Sequence, residues 1–450
     1  MRMRSFLKVA AVAAVALLAP AAPLLGGGPV ARAQDTTKLT MWLDTTGGAE
    51  TADCIRANAI DPFNELGKGI SVEATMLANN WDATRTALAG GGGPDIVGTP
   101  GPSFAMQLAL AGQLADLTGY ADKFGWNERF SKGSLNIGMG ADGKLYSLPT
   151  EVETLVLYYN TNVFKEHGWE PPKTLDEFMA LAKQVKEAGL IPLAGGNAEW
   201  RPTNEWFVGE FLNHYAGPQK VYDALTGKAQ WTDPDFATAM EMLAQLQKDG
   251  DFMGGLDRYY TATDAERLSA FGDGKAAMNI EGSWFVSNAP LYFGEAAGNG
   301  NDWGWVPMPS KDGSAIYDLG VGQTYSVNAK SANPEAAATF LDFYYSPATM
   351  ARLLSECGLM PAPMSLEGQD LSKVDPRLSE IIAGLDKAYA ENNYGYTTWT
   401  FWPPATETYL IENVEKVWSG DMSVADYLAG MQKQFDTDKA AGAVPPIPAR

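Results

Sequence analysis

The chain has 450 residues, a formal net charge of −21, 46% hydrophobic residues and only two cysteines and two histidines. That length suits two or three domains, each burying a core without a dense disulfide framework, and the 13 Trp, 18 Tyr and 18 Phe exclude disorder. The acid excess leaves no basic face for nucleic acid, and His167, His214 and two distant cysteines do not make a His/Cys metal site, so no metal or other cofactor is expected.

The first 33 residues read as an address. Arg2, Arg4 and Lys8 precede an apolar stretch from Val9 to Leu25, and Ala31-Arg32-Ala33 places small residues where a signal peptidase cuts. Pro20, Pro23 and the glycines 26–28 interrupt a stretch already short for a membrane anchor, and no later segment reaches the roughly 20 apolar residues of a membrane helix. The expectation is a secreted product, freed after Ala33 into a periplasmic or cell-surface space. There Cys54 and Cys357 could form a bridge or remain two buried thiols.

Leu39 to Leu43 reads as a strand, Ala52 to Leu66 as a helix with Ile55, Ala59 and Phe63 on its buried face, and Ile70 to Met76 as a second strand. A helix over 82–88 runs into Gly90 to Pro94, followed by a short strand at 95–97. Strands alternating with helices imply an α/β fold with largely parallel sheets. Thr174 and Glu177 form a capping box before a helix whose inner face is Leu175, Phe178, Ala182 and Val185. Asn333 should cap a helix opened by Pro334 and stopped by Ser346-Pro347. Ser423 starts another, with Val424, Leu428, Met431 and Phe435 inward, and the Pro-rich tail from Val444 should fray or lie along the surface.

Several landmarks recur in a telling order: Gly92-Gly93-Pro94-Asp95-Ile96, Ala111-Gly112, Asp142-Gly143-Lys144-Leu145-Tyr146-Ser147-Leu148-Pro149, Tyr158-Tyr159-Asn160 and Pro172-Lys173-Thr174-Leu175-Asp176-Glu177-Phe178. Further on come Phe271-Gly272-Asp273-Gly274-Lys275-Ala276-Ala277-Met278, Gly282-Ser283-Trp284 and Asn333-Pro334-Glu335-Ala336-Ala337. Together they resemble the extracellular solute-binding proteins of ABC importers, in the carbohydrate-binding family that includes maltose-binding protein. The resemblance implies a periplasmic-binding-protein-like fold of two lobes joined by three hinge crossings. Lobe one would take 34–152 and 321–367, lobe two 153–320 and 368–450. Both cysteines then fall in lobe one, where a bridge would not lock the hinge. The implied function is capture of a mono- to trisaccharide between the lobes and delivery to a membrane permease, by a monomer.

A sugar offers hydroxyl edges and an apolar C–H face, so its site needs acid or amide groups and aromatic rings. By resemblance, Trp284 stacks on the ligand and Glu153 accepts its hydroxyls. Glu151 alternates with Glu153 along a strand and would face the same side. The segment 394–402, YGYTTWTFW, lacks strand alternation and reads as a loop that puts Trp399 or Trp402 over a sugar ring. Asp44 and Thr45 follow the first strand, at the carboxyl end where ligands of open α/β sheets collect. Asn80, Trp81, Trp200 and Asn204 complete the candidate ligand set. At Gly98-Thr99-Pro100-Gly101-Pro102-Ser103 the chain departs from maltose-binding protein, so the pocket differs there. A secreted glycosidase could also use carboxylates and tryptophans, but no nucleophile elbow, phosphate loop or metal motif is present. A polyamine or other cation is the rival ligand class, favoured by the net charge.

Overall fold

The computed structural model describes residues 36–45, 49–131, 133–448 and 450; the expected signal segment lies outside them. The α/β class holds, with three sheets among the described residues. The first has the order β2-β1-β3-β11-β4, from β1 (Thr37–Asp44), β2 (Ile70–Leu77), β3 (Ile96–Thr99), β4 (Leu148–Pro149) and β11 (Thr324–Val327). The second runs β7-β8-β6-β9, from β6 (Leu155–Asn160), β7 (Ile191–Leu193), β8 (Ala276–Gly282) and β9 (Trp303–Val306). A small third sheet, β12-β10-β5, uses β5 (Val152–Glu153), β10 (Tyr317–Val321) and β12 (Tyr394–Tyr396).

The sheets are mixed rather than largely parallel. Strands β1, β2 and β3 are parallel, but β11 is antiparallel to both β3 and β4, and β6 is antiparallel to both β8 and β9. The antiparallel members are those by which the chain leaves one large sheet or returns to it. Residues 150–151 lead from β4 into β5, and Gly322-Gln323 lead from β10 into β11. These passages are bonded side by side through Thr150 N–H to the Gln323 carbonyl (2.9 Å) and Gly322 N–H to the Glu151 carbonyl (2.9 Å).

Local chemistry explains the elements. Along β1, Leu39, Met41 and Leu43 are buried while Thr40 and Asp44 are exposed, the period of two that a one-faced strand requires. Residues Glu50–Glu65 form one helical run with a π-helical stretch at Arg56–Ile60, and Ile55, Ala59 and Phe63 are buried as the spacing predicts. The helix Leu175–Glu187 carries the complete Thr174/Glu177 capping box and buries Leu175, Phe178, Ala182 and Val185. Asn333 precedes the helix Pro334–Tyr344 but makes no side-chain cap, whereas Ser346 caps the next helix, Pro347–Cys357. Ser423 caps the helix Val424–Ala440. Arg450 holds the tail to the surface through the Tyr394 carbonyl (2.8 Å).

The expected loop at 394–402 is instead strand β12 followed by a helical turn, Thr398–Phe401, with every residue buried. The open edge of β10 pairs with Tyr394–Tyr396 in parallel register, and this tertiary pairing decides the conformation where alternation could not. Two apolar clusters underlie the sheets. One gathers Met41, Phe63, Trp126, Tyr325, Phe340 and Tyr344 at the first sheet; the larger gathers Tyr158, Phe178, Phe211, Phe271, Phe285 and Trp402 around the second. Cys54 and Cys357 form a disulfide, with Cα atoms 5.8 Å apart, between the Glu50–Ile55 and Pro347–Cys357 helices. Among the described residues, no helix is long and apolar enough to cross a membrane.

Candidate functional site

A cavity of about 270 Å³ opens beside the carboxyl ends of β1 and β3. Its lining includes Asp44, the helix start at Asn80-Trp81, Gly98-Thr99-Pro100, Glu153 and Gly322-Gln323. It also includes Trp200, Glu205 and Trp206, Asp264 and Arg267 on the helix Asp264–Gly272, and Glu281, Trp284 and Trp399. Five indole rings therefore share one cavity. Trp284 lies 5.2 Å from Trp206 and 6.1 Å from Trp399, centroid to centroid, at steep angles. Trp81 meets Phe104 edge-on at 5.0 Å, and Phe104 in turn packs on Trp200.

The Trp284 ring is held in place. Its indole N–H donates to Glu281 Oε1 (2.8 Å), and the ring folds back over Gly282 so closely that any Cβ there would overlap it. Glu281 in turn accepts from Arg267 Nη1, while Arg267 Nε donates to Asp264 Oδ1 (2.6 Å). Arg267 is 4% exposed. Burial opposes its charge, but Asp264 and Glu281 outweigh it and hold the guanidinium above its ordinary pKa. Glu281 is pushed up by burial, against the pull of Arg267.

Two carboxyl pairs each put one member, Glu153 and Glu205, in the cavity lining. Burial pushes Glu151 up to about 7 and Glu153, which also feels the Glu151 charge, well above the carboxylate range. Burial likewise raises Glu205 to about 7 and Glu407, beside it, well above its usual value. Two like charges cannot both ionise in a desolvated site, so each pair retains a proton near neutrality. Thr398 donates to Glu205 Oε2 (2.7 Å). At Gly322 a Cβ would overlap the carboxyl group of Glu153, so only glycine lets that side chain lie across the passage between β10 and β11.

Of the residues expected from sequence, Asp44, Asn80, Trp81, Glu153, Trp200, Trp284 and Trp399 line this cavity. Four do not. Trp402 is fully buried with its centroid 5.2 Å from that of Trp231, in the core under the second sheet. Asn204 is used up internally, accepting from Asn197 and the Tyr259 hydroxyl (2.7 Å) and donating to Glu415 and the Ile411 carbonyl. Glu151 stands behind Glu153 as its partner, and Thr45 continues the β1–β2 pairing through its N–H to the Leu77 carbonyl (3.0 Å). Asn80 lines the wall, but its amide donates to the Trp42 carbonyl (3.1 Å) and accepts from Thr84, so it shapes the helix start.

Sequence reasoning missed Glu205, Asp264, Arg267, Glu281, Gly322 and Gln323. A signal existed for Arg267: it shares the stripe of Leu268 and Phe271, and a cation on an apolar helix face needs buried acids to meet it.

The family model for bacterial extracellular solute-binding proteins matches residues 58–379. The chain belongs to this family. An ABC transporter extracellular-binding protein of Pyrococcus horikoshii is 29% identical over 203 residues, 44% of this solute-binding protein and 42% of the relative. The alpha-glucosides-binding periplasmic protein of Rhizobium meliloti is 28% identical over 273 residues, covering 57% and 58%. The chain thus spans about half the length of the curated relatives it matches. Among solved structures, a chitin oligosaccharide binding protein superposes with a TM-score of 0.73 at 20% identity, over 90% of this chain and all of that one, and shares the fold.

Proposed function

We propose that this protein is the exported sugar-capturing component of an ABC importer, binding a mono- to trisaccharide in the five-tryptophan cavity and leaving it chemically unchanged. The observation that carries this reading is the pairing of five indole rings with carboxyl groups that keep protons near neutrality. Rings fit the C–H face of a sugar, and half-protonated carboxyl pairs can both donate to and accept from its hydroxyls. The cavity volume lies just below the usual range of ligand pockets, roughly 300–1,000 Å³, which favours the smaller sugars. The relatives' names, an alpha-glucosides-binding protein and a chitin oligosaccharide binding protein among them, support the same class. The proposed ligand set is Asp44, Trp81, Glu153, Trp200, Trp206, Trp284 and Trp399, with Glu205 and Arg267 added.

Lobes divided near residues 152, 321 and 367 would close over the sugar, because that division puts Asp44 and Trp81 in one lobe and Trp284 in the other, and a ligand that touches both sets is satisfied only when the lobes approach. A permease would read the closed form. Removal of residues 1–33 would release the chain as a soluble monomer outside the cytoplasmic membrane. The acid-rich walls also favour a cationic solute such as a polyamine, and one titration separates the two. Tryptophan fluorescence against a panel of mono- to trisaccharides and against spermidine should respond to a sugar. A response to spermidine alone would replace the sugar reading, and turnover of the bound sugar that follows the protein through repurification would make it an enzyme.

A further inference from the structure

Away from the cavity, the helix Thr203–Ala216 presents Glu210 and His214 one turn apart toward Asp318 on β10, and none of the three lines the cavity. Each offers one ligand atom, and the three atoms lie within 4.8 Å of one another. All three side chains are at most 1% exposed. None of their six nitrogen and oxygen atoms has a hydrogen-bond partner outside the trio, and among the described residues no Lys or Arg forms an ion pair with either carboxylate. Buried polar groups in native proteins are almost always satisfied, and two buried carboxyl groups beside an imidazole with no partner beyond one another call for a shared proton or a cation. The buried Glu281, by contrast, is met by Arg267 and Trp284.

The geometry points to a site for one divalent transition metal ion, with zinc as the best fit, held by Glu210, His214 and Asp318 in the core of the protein. His214 Nε2 stands 3.3 Å from Glu210 Oε2 and 3.5 Å from Asp318 Oδ1. Ligands bound tetrahedrally to zinc at roughly 2.0–2.1 Å lie about 3.3–3.4 Å from each other, so these two edges are close to those of a zinc shell. Imidazole with carboxylates suits zinc over calcium or magnesium, which take oxygen ligands almost exclusively. Two carboxylates would neutralise the dication, and each has a second unpartnered oxygen to complete the shell. The ion would pin the Thr203–Ala216 helix, whose first turn supplies Glu205 and Trp206 to the cavity, against β10, which leads into Gly322.

Because the site is closed to solvent, the full mature protein should be unfolded and refolded either with zinc sulfate or with EDTA, then gel-filtered and analysed for metal. About one zinc per chain is expected in the first sample and none in the second, with a higher melting temperature when zinc is present. His214→Gln and Asp318→Asn should each lower zinc at least tenfold, while Glu407→Gln, in a different buried carboxyl pair, should keep it. Cobalt in place of zinc should give the visible bands of a tetrahedral site in the wild type, a readout that survives if a variant fails to fold. A wild type that retains no zinc and shows no such cobalt bands, or an Asp318→Asn variant that retains zinc in full, would overturn the assignment.

Discussion

Replacing Gly322 with alanine tests how the cavity is built with a change of one methyl group. A Cβ at this position would sit more than about 1 Å inside ordinary contact with the Glu153 carboxyl group, and that group is buried and paired with Glu151. The carboxyl end must swing away by about that distance, and a hydrogen bond stretched so far is no longer one. Losing a bond to a buried carboxyl group costs about 1.5–3 kcal/mol, which is roughly 10- to 150-fold in affinity. Calorimetry with the tightest sugar of the panel should show this loss for Gly322→Ala while the melting temperature changes little. In a Glu153→Ala background the methyl has nothing to displace, so adding Gly322→Ala should cost almost nothing more. Unchanged affinity in the single variant, or an equal penalty in both backgrounds, would refute the reasoning.

Trp284→Ala should lower sugar affinity by about 1–3 kcal/mol with the fold intact, whereas Trp402→Ala should destabilise by about 3–5 kcal/mol, read by denaturant unfolding; a reversed pattern would exchange their roles. Stability should fall as pH rises through 7. In the folded state Glu151 and Glu205 titrate at about 7 rather than near 4.5, so their contribution is complete below about 4.5 and lost above 7, up to about 3 kcal/mol per pair. A melting temperature at pH 8 equal to or above that at pH 5 would contradict the buried pairs. Reduction of Cys54–Cys357 should cost about 2–4 kcal/mol of stability without abolishing binding, since neither cysteine lines the cavity.

The fold was legible where periodicity and caps agree with tertiary pairing, as in β1, the Phe63 helix and the Thr174 capping box. It was misread at 394–402, because the partner that makes Tyr394–Tyr396 a strand is Tyr317–Leu319, far away in sequence. The same blindness to distant partners explains the site. Trp284 and Glu153 sit in motifs that a resemblance can carry. The roles of Gly322 and Arg267 exist only through contacts with Glu153, 169 residues earlier, and with Glu281 across a helix–strand packing. Asn204 and Trp402 show the converse: residue types that suit a binding site equally suit a buried polar network or a core.

The disulfide would matter to an exported protein that meets proteases. Cys54 and Cys357 are 303 positions apart, so the bridge spans most of the described chain, including the segments that carry nearly all of the cavity wall. One cut in any loop between them leaves both pieces tied together covalently, and the apolar contacts across the cut can keep them folded. A nicked molecule would therefore run as one species without reductant and as two with it, and its cavity could outlast the first break in its chain.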